Sequence, residues 1–107
     1  MTATIDPNAG VMTLVNVFTV DVDRQQQLVE LLDEATEKAM KRQPGFISAN
    51  IHKSVDGTRV INYAQSRSKT DFEAMQKNPQ AAEHMKAAAG LAKFDPIVCE
   101  VASSHSL

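Results

Sequence analysis

Two asparagines stand where asparagine is least expected. Asn16 lies in the middle of Met12–Val20, MTLVNVFTV, and Asn62 lies in Thr58–Arg67, between Val60 and Ala64. Asparagine is a poor strand former, and a buried carboxamide must have its hydrogen bonds met. Side chains alternate along a strand, so Asn16 shares a face with Leu14 and Phe18. By the same rule Asn62 shares one with Val60, Ala64 and Ser66, while Tyr63 and Gln65 point to the opposite face. Two amides beside the small Ala64 and Ser66 allow two readings. One is a cavity with convergent polar groups that takes a ligand. The other is a polar cluster whose bonds are satisfied inside the core.

Other reactive residue types form no constellation. His52, His84 and His105 are scattered, without metal-ligand spacing or an H-E-x-x-H pattern. His84 reads as a solvated helix residue. Cys99 is the single cysteine, which excludes an internal disulfide or a multi-cysteine zinc site and reads as a small buried hydrophobe. The four glycines stand singly, so there is no phosphate-cradling loop. The net charge of −2 argues against nucleic acid and anionic lipid as partners, and one Tyr with no Trp leaves little for base stacking. No apolar run is long enough to span a membrane, and Met1–Gly10 lacks a signal-peptide core, so the cytoplasm is the expected compartment.

The elements that must position the amides follow from pattern. Residues 1–10 read as a flexible arm, 11–102 as one domain and 103–107 as a tail. Met12–Val20 is rich in β-branched and aromatic residues and predicts a strand. Asp23 with Gln26 fits a capping box, opening a helix on which Leu28, Leu31, Leu32, Ala35 and Ala39 recur at helical spacing. Glu34 with Lys38 and Glu37 with Lys41 are favourable i,i+4 pairs, and Pro44-Gly45 stops the helix. Phe46–Ser54 and Thr58–Arg67 predict a hairpin turning on Asp56-Gly57, with positive φ at both. Ser68 with Asp71 opens a short helix through Phe72 and Met75, and Asn78-Pro79 restarts it. Ala81, Ala82, Met85, Ala88 and Ala89 predict a small-residue face with one long anchor, and Gly90 a C-terminal cap. Pro96–Ala102 predicts the last strand.

The order strand, helix, strand, strand, helix, strand is the ferredoxin-like α+β pattern. It predicts a four-stranded antiparallel sheet with the helices on one face and the first and third strands as central neighbours. The outer face of the first strand carries Thr13, Val15, Val17 and Thr19, with no helix to cover it. A sheet apolar on both sides predicts a homodimer packed sheet against sheet.

Gly45-Phe46, IHKSVDGTRVINYAQSRS (Ile51–Ser68), DFEAM (Asp71–Met75) and NPQAAEHMKAAAGLA (Asn78–Ala92) resemble the antibiotic biosynthesis monooxygenase family. The likeness spans roughly residues 11–102 and is most specific in DGTRVINYAQ. It implies a dimeric α+β barrel and, for some members, oxidation of anthrones or hydroquinones to quinones by O2 without a cofactor. It further implies Asn16 and Asn62 as catalytic residues, with Leu14, Phe18, Ala64, Ser66, Phe72, Met85 and Lys86 around the substrate. Ser66 replaces the tryptophan that usually follows NYAQ, which should enlarge the pocket. Phe72 replaces a tyrosine and cannot relay a proton. Lys86 replaces an arginine.

The chemistry so implied is self-consistent. With no metal or flavin motif, the substrate supplies the electrons: an aromatic anion reduces O2. Asn62 would hold the substrate oxyanion and Asn16 would position the substrate or an O2-derived intermediate. Two other readings compete. A haem-degrading relative would need a tryptophan where Ser66 stands and an axial histidine near Met75 or Gln76. A non-catalytic binding barrel would be the outcome of drift at three pocket positions.

Overall fold

The structure, a computed structural model, describes residues 2–107. Met1, the first residue of the expected arm, lies outside them. The chain forms β1 (Met12–Val20), α1 (Gln25–Lys38), β2 (Phe46–Lys53), β3 (Arg59–Ser66), α2 (Lys69–Gln76), α3 (Pro79–Leu91) and β4 (Ala92–Cys99). The strands form one antiparallel sheet in the order β2-β3-β1-β4. The ferredoxin-like α+β architecture read from the sequence is therefore the one observed, with β1 and β3 in the centre. Its second helical unit is divided in two at Asn78-Pro79.

The core lies between one sheet face and the helices. Phe18, Val20 and Val60 from the sheet pack against Leu28, Leu32 and Ala88. Phe18, Leu28 and Val60 are fully buried, and each such side chain contributes roughly 1.5–3 kcal/mol. Ala81 and Ala88 are buried on α3, and this lets the helix lie close. Ala82 and Ala89, expected on the same face, are exposed, because a 3.6-residue period turns them away from it.

Several local expectations need correction. Asp23 does not cap α1. It sits inside a 3₁₀ turn, Val22–Arg24, that precedes the helix. The glutamines that follow hold the hairpin instead: Gln25 Nε2 donates to the Ser54 and Arg59 carbonyls at 3.0 and 2.9 Å, and Gln26 Oε1 accepts from Lys53 Nζ. Gly90 lies within α3, which passes straight into extended Ala92 without a left-handed cap. The last strand begins four residues before Pro96, the first residue expected of it. Proline is tolerated there because β4 is an edge strand, bonded only to β1. The two expected caps that do form are Ser68, whose hydroxyl accepts from the Asp71 N–H, and Asn78, whose carboxamide accepts from the N–H groups of Gln80 and Ala81.

In the hairpin only Gly57 has positive φ, at 82°. Asp56 keeps negative φ and acts through its side chain. Its Oδ1 accepts from the Ser54 and Thr58 hydroxyls and the Thr58 N–H, at 2.7–3.0 Å. Those bonds, the Thr58 hydroxyl first, pull the Asp56 carboxyl from 3.8 down to about 2. A carboxylate depressed in the folded state stabilises it above the unfolded pKa, and the effect fades as pH falls through the folded value. The pH dependence of Tm between about 4 and 2 should accordingly be flatter for Asp56→Asn than for the wild type. Parallel acid limbs would contradict this.

The outer sheet face carries Val15, Val17, Ile61 and Tyr63, all partly exposed, with Ile97 at 44% exposure. At one end Gln65 Nε2 donates to the Thr4 carbonyl at 2.9 Å. No helix among the described residues is long and apolar enough to cross a membrane.

Candidate active site

The central ladder sets Asn16 directly opposite Asn62. Their outer neighbours in register are Pro96 and Ile51, so the carboxamide pair is flanked by apolar residues. Both side chains point into the space between sheet and helices. Asn16 is 6% exposed. The Oδ1 atoms of both residues are buried and have no hydrogen-bond partner. A buried carboxamide oxygen left unpaired costs about 1–3 kcal/mol, which a bound donor would remove.

These amides line a cavity of about 110 Å³. β1 supplies Leu14, Asn16 and Phe18, and β3 supplies Asn62. Phe72 and Gln76 come from α2 and Met85 from α3. α1 contributes Leu32, Ala35 and Thr36, one helical face continued by Met40 in the following 3₁₀ turn. Phe94 and Pro96 close the side along β4, and Phe94 packs on Phe18 with ring centroids 5.9 Å apart. None of the lining side chains is ionisable. A smaller chamber of about 50 Å³ adjoins it, sharing Leu14, Thr36, Met40, Asn62 and Phe72. Ala64 and Ser66 line only that chamber, along with Phe46 and Met75.

The structure thus gathers eight of the nine residues singled out in the sequence around these two spaces. Asn16, Asn62, Leu14, Phe18, Phe72 and Met85 line the larger, and Ala64 and Ser66 the smaller. Lys86 lines neither and is exposed, because it is one step of about 100° around α3 from Met85. Beside Ser66 the smaller chamber is bounded by Met75, which is 1% exposed.

Eight residues lining the larger cavity were not assigned to it from the sequence, and for four of them the reason is identifiable. Phe94 was lost to the displaced start of β4, and Pro96 was read as that strand's first residue and not as part of the wall. Thr36 and Met40 carry the face of Leu32 onward at i+4 and i+8, a spacing that was available. The histidines lie elsewhere. His52 is on the outer face, bonded through Nδ1 to the Asn50 carbonyl. His84 is only 14% exposed, so it is not the solvated residue expected. Its Nδ1 donates to the Gln80 carbonyl at 2.8 Å and its Nε2 lies 3.9 Å from Glu34. No histidine lines either space, so the axial ligand that a haem reading requires is not in place.

The chain is similar to a well-defined set of known proteins. The family described as antibiotic biosynthesis monooxygenase matches residues 11–89. Tetracenomycin-F1 monooxygenase of Streptomyces glaucescens is 43% identical over 102 residues, which are 95% of this chain and 91% of that protein. Among solved structures, a monooxygenase from the gene ActVA-Orf6 of Streptomyces coelicolor, in complex with nanaomycin D, superposes with a TM-score of 0.81. It is 30% identical, over 95% of this chain and 96% of that one. SnoaB of Streptomyces nogalater, a cofactor-independent oxygenase, superposes with the same TM-score at 21% identity, over 90% and 97% of the two chains, a likeness of fold.

Proposed function

Because this chain belongs to the antibiotic biosynthesis monooxygenase family and is an O2-using oxidoreductase acting on a small molecule, we propose that its substrate is an aromatic polyketide-like anthrone or hydroquinone, oxidised to a quinone without a cofactor. The observation that carries this reading is the pair of unpartnered carboxamides on the wall of an apolar, phenyl-lined cavity. Phe18, Phe72 and Phe94 offer surfaces to a flat ring system. A phenolic O–H can donate to a carboxamide oxygen, and once ionised the oxyanion can accept from the carboxamide N–H groups. Asn62 holds the oxyanion and Asn16 orients the ring. Electrons pass from the substrate anion to O2. For an anthrone the balance is a methylene plus O2 giving a carbonyl plus water. The names of the relatives support the substrate class: one acts on tetracenomycin F1 and another binds nanaomycin D.

The absence of an ionisable lining side chain has a kinetic consequence. A site with an internal general base shows that base's pKa in its rate profile. Here the acid limb of kcat/KM should follow the substrate's own phenolic ionisation, and move with it when the ring is substituted. A limb fixed across substrates of different acidity would point to a protein base.

The functional unit is a homodimer in this reading. Val15, Val17, Ile61, Tyr63 and Ile97 form an apolar patch on the outer face, and the buried Thr13 hydroxyl on that face has no partner. Oxygen uptake with a panel of anthrones and hydroquinones, tetracenomycin F1 included, tests the function. One O2 consumed per quinone formed is expected. Tight binding of the panel without O2 consumption would instead make the protein a binding barrel.

A further inference from the structure

Oxidation by O2 needs a second place in the site, beside the substrate and separate from it. The smaller chamber has the size, position and lining for that. Its volume of about 50 Å³ compares with the roughly 10–15 Å³ that a single water occupies on the same measure. It can therefore take a diatomic molecule but not a fused ring. Leu14, Phe46, Ala64 and Met75 supply much of its mainly apolar lining, and Thr36, Ser48, Asn62, Gln65 and Ser66, the last at 4% exposure, are its polar members. Asn62 belongs to the walls of both spaces. A molecule in the chamber thus lies next to the substrate atoms that Asn62 holds.

We propose that the chamber at Ser66 is a dioxygen site, opened by serine at this position and kept narrow by Met75. The inference rests on the aromatic-oxidation reading above. In the step it serves, the substrate carbanion gives its electron pair to O2. A C–O bond forms as the O–O π bond breaks, and a proton from solvent completes the hydroperoxide. Loss of water, with cleavage of the O–O and C–H bonds, then leaves the carbonyl. Both oxygen atoms are accounted for, one in the product and one in water. A mainly apolar chamber suits uncharged O2, which gains little from hydrogen bonds, better than it suits water.

Xenon and steady-state kinetics test this on the full chain. Xenon fills dry apolar cavities, so crystals under xenon should show a peak between Ala64, Ser66 and Met75. Ser66→Leu should abolish that peak while leaving any xenon in the larger cavity. The same variant should raise the KM for O2 about tenfold and leave the KM for the aromatic substrate within about twofold. If Ser66→Leu does not fold, Ala64→Val narrows the same chamber and should shift both readouts in the same direction. Absence of xenon from the wild-type chamber overturns the proposal. So does a variant that raises the KM for the aromatic substrate more than that for O2, or changes neither. The xenon arm needs no turnover, so it decides the chamber even if the panel of aromatic substrates proves inert.

Discussion

Asn62→Ala is expected to lower kcat by about 10²–10³-fold, the cost of removing one oxyanion donor from a preorganised apolar site. The KM should change far less, because the negative charge is greatest after the bound substrate ionises, and an interaction that strengthens along the reaction appears in kcat. Stability offers an independent control. Asn62 Oδ1 is buried without a partner, so truncation leaves no group of the protein newly stranded. Removing such an atom should leave Tm unchanged or slightly raised. A structural asparagine would behave in the opposite way, losing Tm and keeping kcat among the molecules that remain folded. Asn62→Asp sharpens the test. Its carboxyl would have few polar neighbours among the apolar cavity walls, so its pKa should rise. The protonated form can donate to an oxyanion and the ionised form repels it. Residual activity of Asn62→Asp should therefore fall with rising pH, where the wild type gains from substrate ionisation. Wild-type turnover in Asn62→Ala would remove the role assigned to the residue.

That pair of asparagines was legible in the sequence because strand alternation is rigid. A two-residue period puts Asn16 with Leu14 and Phe18 whatever else the fold does. The ferredoxin-like order then makes β1 and β3 neighbours, which brings Asn62 beside it. Register was not legible. That Asn16 faces Asn62 itself depends on the length of the whole path from β1 through α1 and the hairpin to β3. The misplaced features share a different cause: each rests on a local preference that a tertiary contact overrides. Asp23 has the chemistry of a cap, but Gln25 and Gln26 are drawn to the hairpin. Gly90 is suited to ending a helix, but the chain needs no left-handed turn to enter β4. Pro96 resembles a strand boundary only if the strand is taken to be interior. The contents of the chamber could not be read from composition at all. Ser66 for tryptophan suggests a large void, and only packing shows a chamber of about 50 Å³ there with Met75 in its wall.

The backbone at Gly45 is where the site depends most on a residue that never touches it. Gly45 has φ of +84°, and a Cβ built there would lie 2.5 Å from Asp71 Cβ and 2.6 Å from its carboxylate. Asp71 cannot swing away cheaply. Arg67 Nε and Nη2 hold its carboxylate at 2.8 and 3.0 Å, and the Ser68 hydroxyl donates to it at 2.9 Å. Arg67 in turn donates its N–H to the Gly45 carbonyl at 2.7 Å. Gly45→Ala should thus cost about 2–4 kcal/mol, from the left-handed backbone and the steric overlap together. Gly90→Ala is the contrasting case. Nothing lies within 4 Å of its added methyl, and it sits inside a helix, so it should stabilise by about 0.5–1 kcal/mol. Urea unfolding of the two variants reads both signs. The overlap and the backbone strain can be separated by repeating Gly45→Ala in an Asp71→Gly background. There the added cost should fall to the backbone part, about 1 kcal/mol, because the atoms that would be struck are gone. An equal cost in both backgrounds would locate the whole penalty in the backbone. The overlap, where it exists, is relieved by moving the first turn of α2, and α2 carries Phe72 and Gln76 to the larger cavity and Met75 to the smaller chamber. Gly45→Ala should therefore lose kcat/KM even at temperatures where it is fully folded, and Gly90→Ala should not.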